Sequence, residues 1–279
     1  MRWRDRRRSS NIEDRRGQRM GRGATIGGGG IILALVAIFL LGQDPAEVLQ
    51  GIQQSGGPSQ QQQPYQPSPQ EQRVAEFVSV VLADTEDTWS DIFRRAGYSY
   101  RPPKLVLYSE MTPTACGTGQ AASGPFYCPG DQKIYLDLTF LNELQRMGAQ
   151  GDFAVAYVLA HEVGHHIQTV TGMAQKVRQL QARASKAQAN AIQVRMELQA
   201  DCYAGVWANH TQQRTRFLER GDIEEGLQAA AAVGDDAIMR KAGRVPRREA
   251  FTHGSSRERM EWFNHGLESG DLQACDTGI

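Results

Sequence analysis

The sequence predicts an α+β fold, mainly helical with a small β-sheet, preceded by one transmembrane helix. Three observations carry this expectation. Residues Ala24 to Gly42 form a 19-residue stretch without a charge, and Ile31 to Leu41 within it reads IILALVAIFLL. Several later segments repeat apolar residues at helical spacing. Short runs such as Lys104-Leu105-Val106-Leu107-Tyr108, rich in strand-forming side chains and bounded by turn residues, read as strands. The chain has 279 residues, of which 40% are hydrophobic and 22% charged. That is room for one domain of roughly 200 residues with a core, plus extensions.

Formal net charge is zero, but the charge is unevenly placed. Residues 1–22 carry nine arginines against Asp5, Glu13 and Asp14. Nineteen residues are about the length of a membrane-crossing helix. Arginines before it and none shortly after it would put the N-terminus in the cytoplasm. On this reading 1–23 is an Arg-rich cytoplasmic segment, 24–42 the transmembrane helix and 43–72 a Gln/Pro-rich linker. Residues 73–279 are then the folded domain, outside the cytoplasm. The sequence after the apolar run, Leu41-Gly42-Gln43-Asp44-Pro45, is a poor signal-peptidase site, so the helix reads as an uncleaved single-pass anchor to the cell membrane. The basic arm then serves as a topology signal and needs no nucleic acid as partner. Four cysteines in an oxidising compartment suggest two disulfides. Cys116 and Cys128 are close in sequence and flank a Gly-rich stretch, which leaves Cys202 for Cys275; buried free thiols are the alternative.

Along the domain, Val74, Phe77, Val78, Val81, Leu82, Trp89, Ile92 and Phe93 predict a helix to Arg95, stopped near Gly97. Lys104–Tyr108 predicts a strand. Phe126–Cys128 and Lys133–Asp137, joined through Pro129-Gly130-Asp131, predict a hairpin, with 133–137 as an edge able to bind a peptide as an added strand. Phe140–Met147 predicts a short helix. Asp152–Thr171 predicts a longer one, with Asp152 as its cap and Gly172 as its stop. Further helices are expected over Asn190–Asn209, Ile223–Val233 and Ser256–Leu267, the last with Ser255 and Glu258 spaced as a capping box. Residues 175–191 give no clear conformation.

The chemistry centres on His161-Glu162-Val163-Gly164-His165. Two histidines four apart project from one face of a helix, which suits two bonds to one zinc ion. Glu162, beside the first, can act on water there without being a ligand. The flanking Val155, Val158, Leu159 and Ala160 are apolar, so this helix is expected to be buried, where histidines need partners. A third ligand is required. Gln168 and Thr171 stand where a histidine-rich site would place Gly-x-x-His spacing, so that class fails. Glu197, with Asp201 four residues on, supplies the alternative: Glu197 on the metal, and Asp201 accepting a hydrogen bond from a ligand imidazole. His166 lies about 100° round the helix from His165 and is not expected to be a ligand. His210 and His265 read as structural or exposed.

Taken together, HEVGHHIQ, ELQADCYAGVWA, FYCPGDQKIYLDL and FTHGSSRERMEWF resemble the bacterial neutral zinc metallopeptidase family across essentially the whole chain. The Glu-x-x-x-Asp arrangement is similar to that of thermolysin-like glutamate zincins. The resemblance implies a zincin-like metallopeptidase domain with one catalytic Zn2+ on His161, His165 and Glu197, and Asp201 supporting His161. It implies hydrolysis of peptide bonds in a peptide or protein substrate by a metal-activated water, with Glu162 as general base. His253 is the expected further donor to the oxyanion; a similar His followed six residues later by an Arg, here Arg259, occurs in membrane-embedded CAAX-type zinc proteases. Glu197 follows His165 by 32 residues, farther than in thermolysin, so the intervening segment must loop out. Two other functions fit the residues: a non-catalytic, zinc-stabilised binding or scaffold protein, and a zinc hydrolase acting on a non-peptide amide. Glu162 argues against the first, because a purely structural site does not need that carboxylate.

Overall fold

The computed structural model describes residues 1–18, 65–120 and 124–279. Strand β1 (Ile12–Asp14) is followed by helix α1 (Pro69–Arg95), β2 (Lys104–Tyr108), β3 (Met111–Thr114), β4 (Gly117–Gln120), β5 (Phe126–Cys128) and β6 (Lys133–Asp137). Helices α2 (Phe140–Arg146), α3 (Asp152–Val170), α4 (Met173–Gln181), α5 (Lys186–Thr215), α6 (Asp222–Ala232), α7 (Asp235–Lys241) and α8 (Ser256–Ser269) complete it. A 3-10 turn, Leu272–Cys275, follows α8. The domain is α+β and mainly helical, as the sequence predicts.

Local chemistry sets several boundaries. Ser68 caps α1 and forms a reciprocal capping box with Glu71, with Pro69 at the first helical position. The helix therefore begins inside the segment expected to be linker. Ser185 and Gln188 cap α5 in the same way, and Ser255 and Glu258 cap α8. Asp152 is not the cap of α3; Gly151 occupies that place with a left-handed φ of 96°. The stretch between His165 and Glu197 does not loop out as coil. It folds as α4 and the first three turns of α5, an antiparallel return that lays α5 against α3.

The main sheet has the order β1-β2-β6-β5. β2 is parallel to both β1 and β6, while β5 and β6 form the antiparallel hairpin expected from sequence. The order corrects one expectation: 133–137 is an inner strand, and β5 is the edge. β3 and β4 form a separate antiparallel ribbon.

Two larger expectations are also corrected. No helix among the described residues is long and apolar enough to cross a membrane, so the expected transmembrane helix is not supported. Segment 24–42, on which that expectation rested, lies outside the described residues, as does most of the expected linker. The expected localisation fails as well. A single-pass anchor would put residues 1–23 and the folded domain on opposite sides of a bilayer, yet Met1–Arg16 belongs to the same compact unit as Pro67–Ile279. The physical reason lies in the arginines, which answer carboxylates of α1. Arg6 pairs with Asp84 at 2.5 Å, Arg7 with Glu86 at 3.0 Å and Asp87 at 2.6 Å, and Arg8 with Glu76 at 3.2 Å. Buried Glu86 also accepts from Ser9 and Asn11. The chain then runs beside β2, with Asn11 O accepting from Leu105 N at 2.9 Å and Arg15 N donating to Leu107 O at 2.7 Å.

This packing has a measurable consequence. Deleting residues 1–16 strips β2 of one of its two neighbours and removes the Arg6 and Arg7 partners of Asp84 and Glu86. At about 2–4 °C per kcal/mol for a domain of this size, we expect thermal unfolding to fall by about 5 °C or more. An unchanged Tm would mean that the arm is not part of the folded unit.

Candidate metal centre

Helices α3 and α5 cross closely enough to bring their polar faces together. A Cβ on Gly164 would lie 3.0 Å from both Cα and O of Ala200, so the residue inside the His-Glu-Val-Gly-His stretch must be small. α5 and α8 approach even more closely. A Cβ on Gly205 would lie 2.1 Å from Phe263 O, and one on Gly266 2.0 Å from Cys202 O. Only glycine lets these backbones touch. The disulfides Cys116–Cys128 and Cys202–Cys275 are both formed, in the pairing expected from sequence. The second fastens the C-terminal turn to α5 one residue beyond Asp201.

At the crossing, His161, His165 and Glu197 each present one ligand atom, all within 4.8 Å of one another. His161 Nε2 and His165 Nε2 lie 3.3 Å and 3.6 Å from Glu197 Oε2. A tetrahedron with arms of 2.0–2.1 Å has edges of about 3.3 Å, so this donor set fits zinc in size as well as in chemistry. The far side of each ring is engaged. His161 Nδ1 lies 2.7 Å from Asp201 Oδ1, and His165 Nδ1 lies 2.9 Å from Gln168 Oε1. With Nδ1–H donating outward, each Nε2 lone pair is left for a metal.

Asp201 is fully buried and accepts from three residues. Besides His161, Tyr157 Oη donates to Oδ1 at 2.6 Å, and Arg259 donates to both oxygens, Nε to Oδ2 at 2.8 Å and Nη2 to Oδ1 at 2.9 Å. Burial alone would raise the Asp201 pKa, but the charges of Arg259 and His161 outweigh it and hold it at about 2. Burial would lower that of His161; Asp201 and Glu197 instead raise it to about 9. The pocket therefore favours positive charge where the ligand atoms converge. Glu162 behaves oppositely. It is buried beside the two histidines but outside the three-ligand group, and desolvation raises its pKa despite the opposing pull of His165 and His161.

The site opens into a cleft of about 1080 Å³. Phe126 and Tyr127 of edge strand β5 line it, with Phe140, Met147, Val158 and Ile238 forming an apolar wall. His253 also lines it, half exposed, its backbone N–H bonded to Asp235 Oδ2 at 2.6 Å and its ring Nδ1 3.3 Å from Asp235 Oδ1. His166 faces the other way. It is fully buried, with Arg101 O at 2.8 Å and Tyr127 Oη at 3.1 Å, and so ties β5 to α3. His210 bonds Gly270 O, which is a structural role.

Sequence reasoning assigned no role to Tyr157 or Gln168. Both lie on the ligand face of α3, four residues before His161 and three after His165, so helical spacing was the available signal. Arg259 entered only by resemblance; the structure places it against Asp201.

The Asp201–Arg259 pair gives a test. Arg259→Met would leave a buried carboxylate without its cation, at a cost of about 3–5 kcal/mol in chemical denaturation. Adding Asp201→Asn should recover part of that loss, because the two residues form one network. Strictly additive losses would show that they are not coupled.

The model of the family described as "Putative neutral zinc metallopeptidase" matches residues 1–278. The chain is 48% identical over 288 residues to "Uncharacterized protein YpfJ" of Escherichia coli (strain K12), covering 99% of this chain and 98% of that protein. It is 38% identical over 213 residues to an uncharacterized protein of Mycobacterium tuberculosis (strain ATCC 25618 / H37Rv), covering 72% of this chain and 71% of that one. No solved structure matches. A match over nearly the whole length, together with a donor set that fits zinc, leads to one conclusion: the chain belongs to this neutral zinc metallopeptidase family.

Proposed function

We propose that the protein hydrolyses peptide bonds, with His161, His165 and Glu197 holding one zinc ion and Glu162 as general base. The observation that supports this most is the division of the carboxylates. Glu197 sits among the ligand atoms with its pKa held well below the usual value: burial opposes this, but His165 and His161 outweigh it. Glu162 sits beside them, outside the ligand group, with its pKa raised by burial. A ligand must stay ionised, whereas a base works best when its pKa approaches the working pH. When bound, zinc would supply the Lewis acidity that polarises a carbonyl and makes water acidic near neutral pH.

The remaining work falls to side chains of this chain. Glu162 takes a proton from the attacking water and delivers it to the leaving amine. His253 lines the same cleft and is the donor to the oxyanion. The Asp235 contacts orient His253, and its hydrogen bond with Asp235 raises the His253 pKa, which favours the donor form. A peptide can add as a strand to β5, since Phe126 and Tyr127 lie both on that edge and in the cleft.

Glu162→Gln tests this reading. Zinc content should remain near one per chain, because the three ligands are untouched. Hydrolysis of a mixed peptide library should fall by at least ~10²-fold, the lower range for loss of a general base. The acidic limb of the pH–rate profile should disappear with it. Full activity in this variant would refute the mechanism. Cleavage of non-peptide amides alone by the native protein would reassign the substrate, and zinc binding without any hydrolysis would favour a scaffold.

A further inference from the structure

The two ligand histidines are supported by different means. His161 has a charged partner network, whereas His165 leans on a neutral one that runs away from the cleft. His165 Nδ1 meets Gln168 Oε1 at 2.9 Å. Gln168 Nε2 donates to Met196 O at 2.7 Å and to Gln199 Oε1 at 3.1 Å. Gln199 Nε2 donates to Cys275 O at 3.1 Å. Gln168 is fully buried and Gln199 nearly so. Cys275 is itself crosslinked to Cys202 of α5.

The direction of this chain is fixed at both glutamines by backbone carbonyls, which can only accept. Cys275 O forces the amide nitrogen of Gln199 toward it, so Gln199 Oε1 faces Gln168. Met196 O and Gln199 Oε1 together force the nitrogen of Gln168 toward them, so Gln168 Oε1 faces His165. An oxygen there requires a proton on His165 Nδ1, which leaves Nε2 as the ligand atom. Neither amide can flip without stranding a buried donor against a donor, a cost of about 1–3 kcal/mol per unsatisfied group.

We infer that Gln168 is a positioning residue for the metal centre. With Gln199 it forms an amide relay that fixes the tautomer of His165 from the disulfide-anchored C-terminal turn. The inference rests on the proposed function for the identity of the ligands, but not on turnover. A neutral carbonyl holds the ring without adding charge, so the site keeps the net charge set by Glu197, Glu162 and the Asp201–Arg259 pair. The relay also gives the Cys202–Cys275 bond a role at the site: it holds the carbonyl from which the polarity of the chain begins.

The test measures zinc affinity by chelator competition and the visible absorption of the Co2+-substituted protein, with unfolding transitions recorded for every variant. Gln168→Met removes the acceptor and keeps the volume. Zinc affinity should fall by about 10–100-fold, the usual effect of losing a ligand's outer hydrogen bond, and the Co2+ spectrum should shift. Gln168→Glu keeps an acceptor facing His165 but loses the donor to Met196 O and Gln199 Oε1, so it should retain more affinity than Gln168→Met without reaching the native value. Gln199→Leu leaves the His165 and Met196 contacts in place and should show a smaller loss; it decides the matter if Gln168→Met does not fold. Native affinity and spectrum in a folded Gln168→Met or Gln199→Leu protein would overturn the relay. So would equal losses in Gln168→Met and Gln168→Glu. If the native chain took up no zinc at all, the proposed function would fail first, which is a separate outcome.

Discussion

The structure depends on one buried carboxylate. Asp201 has no solvent exposure, yet it stays ionised because Arg259 grips both its oxygens and His161 and Tyr157 donate to it. Those donors come from α3 and α8, so a single side chain on α5 ties three helices together. An uncompensated charge at this depth would cost several kcal/mol. Close helix crossings make the compensation geometrically available: Gly164 against Ala200 sets α3 on α5, and Gly205 with Gly266 sets α8 on α5. Backbone contact at the glycines and ion pairing at Asp201 are thus parts of the same arrangement.

The ligand atoms inherit their order from it. His161 is oriented by charge and His165 by a neutral amide, and both rings turn Nε2 inward toward Glu197. Glu162 is the carboxylate of the cluster at which burial outweighs the pull of His165 and His161 and raises the pKa. A site in which one carboxylate is locked ionised and its neighbour is left basic has the asymmetry that metal-assisted hydrolysis requires. The cleft adds a strand edge and apolar side chains beside the ligand atoms.

Much of this was legible in the sequence. The two histidines at i and i+4, the Glu197–Asp201 spacing, the Cys116–Cys128 disulfide, the β5–β6 hairpin and the capping box at Ser255 are local patterns that survive folding unchanged, while the Cys202–Cys275 bond, 73 residues apart, followed only because two cysteines remained. What the sequence hid was long-range. The arginines of residues 1–16 look the same whether they face solvent, lipid headgroups or α1; only the fold puts Arg6 and Arg7 on Asp84, Glu86 and Asp87. Hence β1 was missed, and the topology inferred from those charges was wrong. The strand order β1-β2-β6-β5 is likewise not written in any strand, which is why β6 was mistaken for an edge. Tyr157 and Gln168 stood at the right spacing on α3, but their roles required partners on α5 and α8 that lie 31 to 102 residues away.

We propose that His161, His165 and Glu197 close around one zinc ion. X-ray absorption at the zinc edge, on the full chain loaded with one equivalent of metal, tests it most directly. That ligand set predicts a four- or five-coordinate site of nitrogen and oxygen scatterers at about 2.0–2.1 Å, with the outer-shell signature of two imidazoles. That signature should drop to one imidazole in His165→Ala. Sulfur scatterers at about 2.3 Å, or a shell without imidazole, would place the metal elsewhere and contradict the account.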